Sequence, residues 1–539
     1  MADPNRPPAP SLAVPSLAAP SVAEAPLSGL RGAVFLLGAI TALRLAALAF
    51  HALDLYPDEA QYWSWSRDLA FGYFSKPPVI AWLIAGSTAI CGAGEGCIKA
   101  TIPLVYFAAS LLVYGIGRRL YSGRVGLFAA LAFITLPGVS FSANVASTDP
   151  PLLMFWALGL YALVRLAQGA AAPRRWWAAL GLAIGFGLMS KYAMVFFIFG
   201  LLLWIAFDAE ARRRLALAGA GWWRLAAALA LGGLIYLPNL WWNYSAGFVT
   251  FVHTGANANL KGSLFHPGEL AEFVATQFGV FGPILFAVLL TLVLRPWRWG
   301  ADWRHRLLAA FIVPMLATIT ILALVSRANA NWAAPVYVAG TVWVTAALLD
   351  GGRHLWASAS LALHGAVAVL LVAAATLQMG PGNYGGLRVP RGLDPFANYD
   401  GWREAADRVT EVRARFPGVP LLSIDRKLTA GLLYYVRPWP DDLYAWRADG
   451  RITDHFKLTR PLRDVPGGDY LLVTPYGDSR DITGRFREST LVGVYPVSVA
   501  VSRARHLRIF HLRGFLGYKP AQPSAVPVPS DIPKGQAVP

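Results

Sequence analysis

Between residues 29 and 379 long apolar runs alternate with short polar connections. The runs lie at about 30–53, 97–117, 125–142, 151–166, 176–189, 192–207, 221–238, 274–294, 307–325, 332–349 and 355–378. A helix needs roughly 17–25 apolar residues to cross a hydrocarbon layer about 30 Å thick. Several runs sit at the short end of that range, and the pattern predicts about 11 crossings. The segment 78–93, opened by Lys76-Pro77-Pro78, is apolar over too short a length to cross and is expected to lie along the interface.

Charge decides the status of that segment. With 78–93 interfacial, Arg118, Arg119, Arg124, Arg165, Arg174, Arg175, Arg212, Arg213, Arg214, Arg224, Arg295, Arg298, Arg304, Arg306 and Arg353 fall on one side. Asp54, Asp58, Glu59, Asp68, Glu95, Asp149, Glu269 and Glu272 fall on the other. Counting 78–93 as a span scrambles this separation. The arginine side is the cytoplasmic one by the positive-inside rule, which puts the N-terminus in the cytoplasm and the C-terminal part outside it.

The flanking segments have a different texture. Residues 1–28 are rich in Pro, Ala and Ser and lack a basic stretch before an apolar core, so they read as a disordered cytoplasmic tail, with the first apolar run an uncleaved anchor. Residues 29–379 form the expected transmembrane catalytic domain. From 380 to 518 the pattern is that of a small soluble α/β domain: strands near Val419–Ile424, Tyr470–Val473 and Leu491–Leu512, and helices near Trp402–Arg415 and Lys427–Tyr435. Residues 519–539 are Pro-rich and read as a second disordered tail.

Composition agrees with a polytopic α-helical membrane protein. The 539 residues are 56% hydrophobic and 14% charged, against about 25% charged in soluble domains. The net charge of +17 would suit nucleic acid, but its arginines are spread through the short connections, so no nucleic-acid partner is expected. The two cysteines, Cys91 and Cys97, flank Gly-Ala-Gly-Glu-Gly; a disulfide and two free thiols are both compatible with that spacing.

Candidate chemistry gathers at the acidic side. Tyr56-Pro57-Asp58-Glu59-Ala60-Gln61-Tyr62 follows the first run; adjacent carboxylates at a hydrocarbon boundary are costly to desolvate, so they are either functional or part of an ordinary solvated loop. Lys76 stands in the same stretch. Asp149, in Ser147-Thr148-Asp149-Pro150-Pro151, is either a helix start or a second acidic site residue. Lys191 lies between two runs with no loop that needs a solubilising charge, so it either snorkels or holds an anion. The connection at about 239–272 carries His253 among Asn, Trp and Tyr residues that also suit an aromatic belt. Arg327, in Ser326-Arg327-Ala328-Asn329-Ala330-Asn331, is the one arginine in an outer connection and a candidate phosphate clamp. Nucleotide-binding loops, zinc-type Cys/His spacing and a nucleophile elbow are missing from the sequence.

An Asp-Glu pair after the first span, a Lys-Pro-Pro, an Asp-Pro opening a later span and a Gly-x-x-x-Lys closing another occur here in that order. This order resembles the GT-C glycosyltransferases of the protein O-mannosyltransferase and ArnT (aminoarabinose transferase) superfamily, families 39 and 83, over roughly residues 30–350. Gly401-Trp402-Arg403-Glu404 is similar to the soluble domain of bacterial members. The resemblance implies an inverting membrane enzyme that takes a sugar from a polyprenyl-phosphate donor outside the cytoplasm. It implies Asp58 as the essential carboxylate and Asp149 as the second acidic position, with Glu59 beside them. Lys76, Lys191, Arg327, His253 and Tyr62 are the expected substrate and carrier-phosphate contacts. Two departures stand out: Ser75 replaces the Glu before Lys-Pro, and the loop after His253 lacks an arginine-rich stretch.

The favoured expectation is transfer to an outer-leaflet glycolipid, lipid A or lipopolysaccharide core, by a monomer in the bacterial inner membrane with its site facing the periplasm. Transfer to a secreted protein is the alternative. A transporter ranks below both, because the unusual charges lie at one face rather than at mid-bilayer. No cofactor is assigned, and a divalent metal at Asp58, Glu59 and Asp149 stays open, as does the sugar.

Overall fold

The computed structural model describes residues 29–257, 259–260, 264–300, 302–501 and 503–518; the expected tails 1–28 and 519–539 lie outside the described residues, as does Lys261. Each of the apolar runs is helical over most of its length. Among the described residues six helices are long and apolar enough to cross a membrane: Leu30–Leu48, Glu95–Leu120, Asp149–Ala167, Gly221–Ser245, Trp303–Val325 and His354–Leu377. Shorter apolar helices are Val79–Cys91, Gly123–Thr135, Tyr192–Phe207 and Val336–Asp350. At 1.5 Å per residue the 13-residue helix Val79–Cys91 is about 20 Å long, short of a bilayer core.

Two expected elements differ. The run at 274–294 is not one straight span: helices Pro267–Phe281 and Pro283–Val293 meet at 118°. Gly282, at φ +86°, makes the corner, and Pro283 cannot donate back across it. The connection expected at 239–272 is largely helical, because Gly221–Ser245 runs on past Pro238 and a further helix covers Val249–Asn257.

Glycines let the bundle close. A Cβ on Gly181 would lie 2.6 Å from the Ala228 carbonyl oxygen and one on Gly185 2.7 Å from Ile235, so helices Pro173–Ser190 and Gly221–Ser245 pack backbone to backbone. The arginine-bearing helix ends also meet. Arg304 donates to the Leu120 carbonyl (2.8 Å), Arg214 to that of Ala167 (3.2 Å), and Arg306 pairs with Asp208 (2.8 Å).

The C-terminal residues build a five-stranded mixed sheet in the order Leu443–Ala445, Leu421–Ser423, Tyr470–Thr474, Arg503–Phe515, Phe486–Ala500. The first three strands run parallel and the last two pairings are antiparallel. Helices Trp402–Arg413 and Arg426–Tyr435 pack beside it. Helix Arg426–Tyr435 also lies against helix Pro57–Ser66, with the Trp63 ring 4.9 Å from that of Tyr434 and 5.1 Å from that of Trp439. The Cys91–Cys97 disulfide is formed. The loop it closes docks on the same C-terminal helix: Tyr434 donates to the Ala93 carbonyl (2.9 Å), and Tyr435 and Arg403 both donate to Glu95.

Candidate active site

Helix Pro57–Ser66 starts where the chain leaves its first long apolar helix, with Pro57 at the first position. Glu59 fixes that start. Its carboxylate accepts from the Tyr56 backbone N–H (2.9 Å) and from that of Ala146 (2.7 Å), and Lys99 Nζ stands 3.6 Å away with both side chains fully buried. Expected among the catalytic carboxylates with Asp58 and Asp149, Glu59 ties the helix to the connection before Asp149. Successive helical residues point about 100° apart, so Asp58 and Glu59 cannot share a direction.

Asp58 points the other way. Arg426 Nη1 donates to Asp58 Oδ1 (2.7 Å) and to Gln61 Oε1 (2.9 Å), so a cation from the C-terminal part sits on this carboxylate. The Asp58 side chain keeps 40% of its surface and that of Arg426 33%.

Asp149 opens helix Asp149–Ala167, and Lys191 follows the last residue of helix Pro173–Ser190. The two helices run antiparallel, which returns Lys191 to the level of Asp149. Lys191 Nζ donates to Asp149 Oδ1 (2.6 Å), and Asn331 Nδ2 donates to Oδ2 (2.8 Å). Three connections distant in sequence therefore meet at one carboxylate.

Cavities lie on both sides of this bridge. One of about 330 Å³ has Lys76 and Lys191 in its wall, which is otherwise mostly apolar, including Leu152, Phe196, Met315 and Ile319. The other, of about 360 Å³, is lined by Asp149 and Asn331 with Tyr106, Phe133, Phe141 and Tyr337. Burial lowers the pKa of the Lys76 ammonium, the Lys191 charge lowers it further, and Asp149 and Asp58 oppose the shift. An ammonium in such a place is short of anions, and a bound anion would stabilise it.

His253 packs its ring 5.0 Å from Phe74, and burial, with the charges of Lys76 and Arg426, holds its imidazole down at about 4. It is neutral at pH 7 and suits a hydrogen-bonding role. Tyr62 is buried; its pKa is raised well above the usual range by burial and by the Asp58 charge. Arg327 is exposed and lines neither cavity; its loop reaches the site through Asn331 instead. Arg426, Gln61 and Asn331 escaped the sequence reading. Arg426 lies 368 residues from its partner in an ordinary basic stretch, and Asn331 stands in the same connection as the more conspicuous charge of Arg327.

The three carboxylates proposed as possible metal ligands do not converge. Asp58 faces Arg426, Asp149 faces Lys191, and Glu59 is enclosed; among the described residues no three His, Cys, Asp or Glu side chains gather to hold an ion.

Fold and site together define a polytopic membrane protein with paired acidic and basic groups gathered at the helix ends remote from its arginine cluster. Residues 75–242 match the family model described as dolichyl-phosphate-mannose-protein mannosyltransferase. The chain is 34% identical over 426 residues to the lipid A galacturonosyltransferase RgtD of Rhizobium johnstonii, covering 78% of this chain and 85% of the relative. It is 32% identical over 246 residues to the lipopolysaccharide core galacturonosyltransferase RgtA of the same organism, covering 44% and 47%. The crystal structure of ArnT from Cupriavidus metallidurans bound to undecaprenyl phosphate superposes with a TM-score of 0.58 over 90% of this chain and 98% of that one, at 15% identity, a likeness of fold alone. The chain belongs to the GT-C superfamily of membrane glycosyltransferases.

Proposed function

We propose that the enzyme transfers a uronic acid sugar from a polyprenyl-phosphate donor to lipid A or lipopolysaccharide core, at the non-cytoplasmic face of the bacterial inner membrane. The observation that carries this reading is the largely apolar cavity of about 330 Å³ with Lys76 and Lys191 in its wall. A polyprenyl phosphate has the same division, an isoprenoid chain ending in an anion. The sugar and acceptor come from the 34% identity to a lipid A galacturonosyltransferase. The orientation rests on the arginine cluster, which the positive-inside rule puts in the cytoplasm and which leaves the site at the opposite ends of the same helices.

In the reaction the acceptor hydroxyl attacks the anomeric carbon as the bond to the phosphate oxygen breaks, inverting that carbon. Asp58 takes the hydroxyl proton, a contribution of roughly 10²–10⁴ for a well-placed base. The departing phosphate gains negative charge, which Lys76 and Lys191 stabilise in a low-dielectric setting. An acceptor phosphate would need no base, and Asp58 would then orient neighbouring groups.

Mass spectrometry of lipid A and core from wild-type and deletion strains tests the reading. Loss of one hexuronic acid per acceptor, restored by the wild-type gene but not by Asp58→Asn, is expected. Unchanged lipid A and core with missing protein glycans would overturn it in favour of protein glycosylation, the reaction in the matched family's description.

A further inference from the structure

The Arg426 guanidinium carries five N–H donors in a planar fork. Both hydrogen bonds described for it leave from Nη1, to Asp58 and to Gln61; among the described residues the Nε/Nη2 edge has no hydrogen-bonding acceptor in the structure. A third of the Arg426 side chain stays accessible. Arg426 also opens its helix rigidly: Asp425 caps the N-terminus by accepting from the Leu428 N–H (2.8 Å), and Tyr434 and Tyr435 anchor the far end. The protein thus holds a guanidinium fork beside the carboxylate that works at the sugar and leaves one edge of it unused.

Charge balance accounts for the carrier phosphate, and the open edge of Arg426 is a matter of geometry. Asp58 offsets Arg426 and Asp149 offsets Lys191, which leaves Lys76 as surplus cation among the groups that interact here. A donor phosphate answers Lys76 and Lys191. A second anion, on the sugar itself, would meet the open edge of Arg426.

We propose that Arg426 forms a carboxylate subsite: its Nε/Nη2 edge receives the C6 carboxylate of a hexuronic acid in a two-point contact while Nη1 stays on Asp58. The element behind the catalytic helix then reads the sugar, and the C-terminal part is a specificity module. This assignment rests on the proposed donor class. In a hexopyranose C6 lies on the ring carbon joined through the ring oxygen to C1, so a carboxylate there falls within one ring width of the bond that breaks, as the adjacency of Arg426 and Asp58 requires.

The test compares two synthetic donors on the purified full-length protein, polyprenyl-phosphate galacturonic acid and its neutral hexose counterpart, polyprenyl-phosphate galactose. The wild type is expected to favour the uronate. In Arg426→Gln the ratio of kcat/KM for the two donors should fall by about 10–100-fold, the size of a charge-assisted hydrogen-bonded contact. Arg426→Lys, which keeps the charge but loses the fork, should fall between them and guards against misfolding. An equal loss on both donors would overturn the subsite and leave Arg426 as a holder of Asp58 alone, and an unchanged ratio would overturn it as well. A wild type that uses only the neutral donor would refute the subsite while sparing the polyprenyl-phosphate reading; one that uses neither would sink both.

Discussion

Lys191 Nζ lies 2.6 Å from Asp149 Oδ1, joining the end of one helix to the start of another across 42 residues, with both side chains largely buried. Removing one partner leaves the other charge desolvated and unpaired, a loss of about 3–5 kcal/mol for a well-buried pair. Lys191→Met alone should therefore lower the melting temperature in detergent more than the double variant Lys191→Met, Asp149→Asn. Transfer should fail in both. Thermal melts of the four members of this double-mutant cycle check the coupling; a double variant destabilised by the sum of the two single losses would mean that the two side chains are not coupled.

The acidic and basic residues at helix ends were visible in the sequence for a physical reason. Asp58, Lys76, Asp149 and Lys191 all stand close to the ends of apolar segments, where an unneeded charge is costly. Their meeting partners were harder to see. Arg426 comes from a soluble stretch in which arginine costs nothing, and only the packing of helix Arg426–Tyr435 on helix Pro57–Ser66 brings it to Asp58. Glu59 is adjacent to Asp58 in sequence, but Tyr56-Pro57 before them signals a helix start whose rotation turns the two side chains apart. The corner at Gly282 was hidden because periodicity shows apolar faces and not bends.

That corner gives a second prediction. Gly282 has φ +86°, and a Cβ there would lie 2.0 Å from His364 Nε2. Gly282→Ala adds strain of about 1–3 kcal/mol before any clash is counted. Gly233, within helix Gly221–Ser245, has open space around its would-be Cβ, and alanine there should leave stability unchanged or raise it by up to about 1 kcal/mol. Thermal melts of the two variants should move in opposite directions or differ by several degrees, and a harmless Gly282→Ala would show the bend to be unnecessary.

The disulfide loop provides a third. Closing a loop of about seven residues is worth roughly 2 kcal/mol on the chain-entropy account, and this loop presents Ala93 and Glu95 to the helix that carries Arg426. Cys91→Ser, Cys97→Ser should lower stability by about that amount and also slow transfer, because the C-terminal helix loses a fixed dock. Activity measured with and without reductant checks it. A reduced protein that melts lower but transfers at the full rate would uncouple the loop from Arg426.

Buried histidines contribute to the acid sensitivity of the fold, His455 and His253 among them. Burial holds His455 down at about 3, with Arg460 adding, and its ring packs 5.2 Å from Trp65 and 5.8 Å from Tyr73; His253 is held down at about 4 by burial, then by Lys76 and Arg426. In the unfolded chain both titrate near 6.5. Above that pH neither state binds the proton and their contribution to stability is complete. As the pH falls below about 6.5 the unfolded state takes up protons that the folded state refuses, so stability declines toward pH 4 for His253 and toward pH 3 for His455. For the well-buried His455 the slope is at most about 1.4 kcal/mol per pH unit. Replacing His455 with Gln should flatten the melting temperature between pH 6.5 and 4 while lowering it at pH 7.5, where the ring's packing is lost. A variant that keeps the wild-type slope would place the acid sensitivity in groups other than His455.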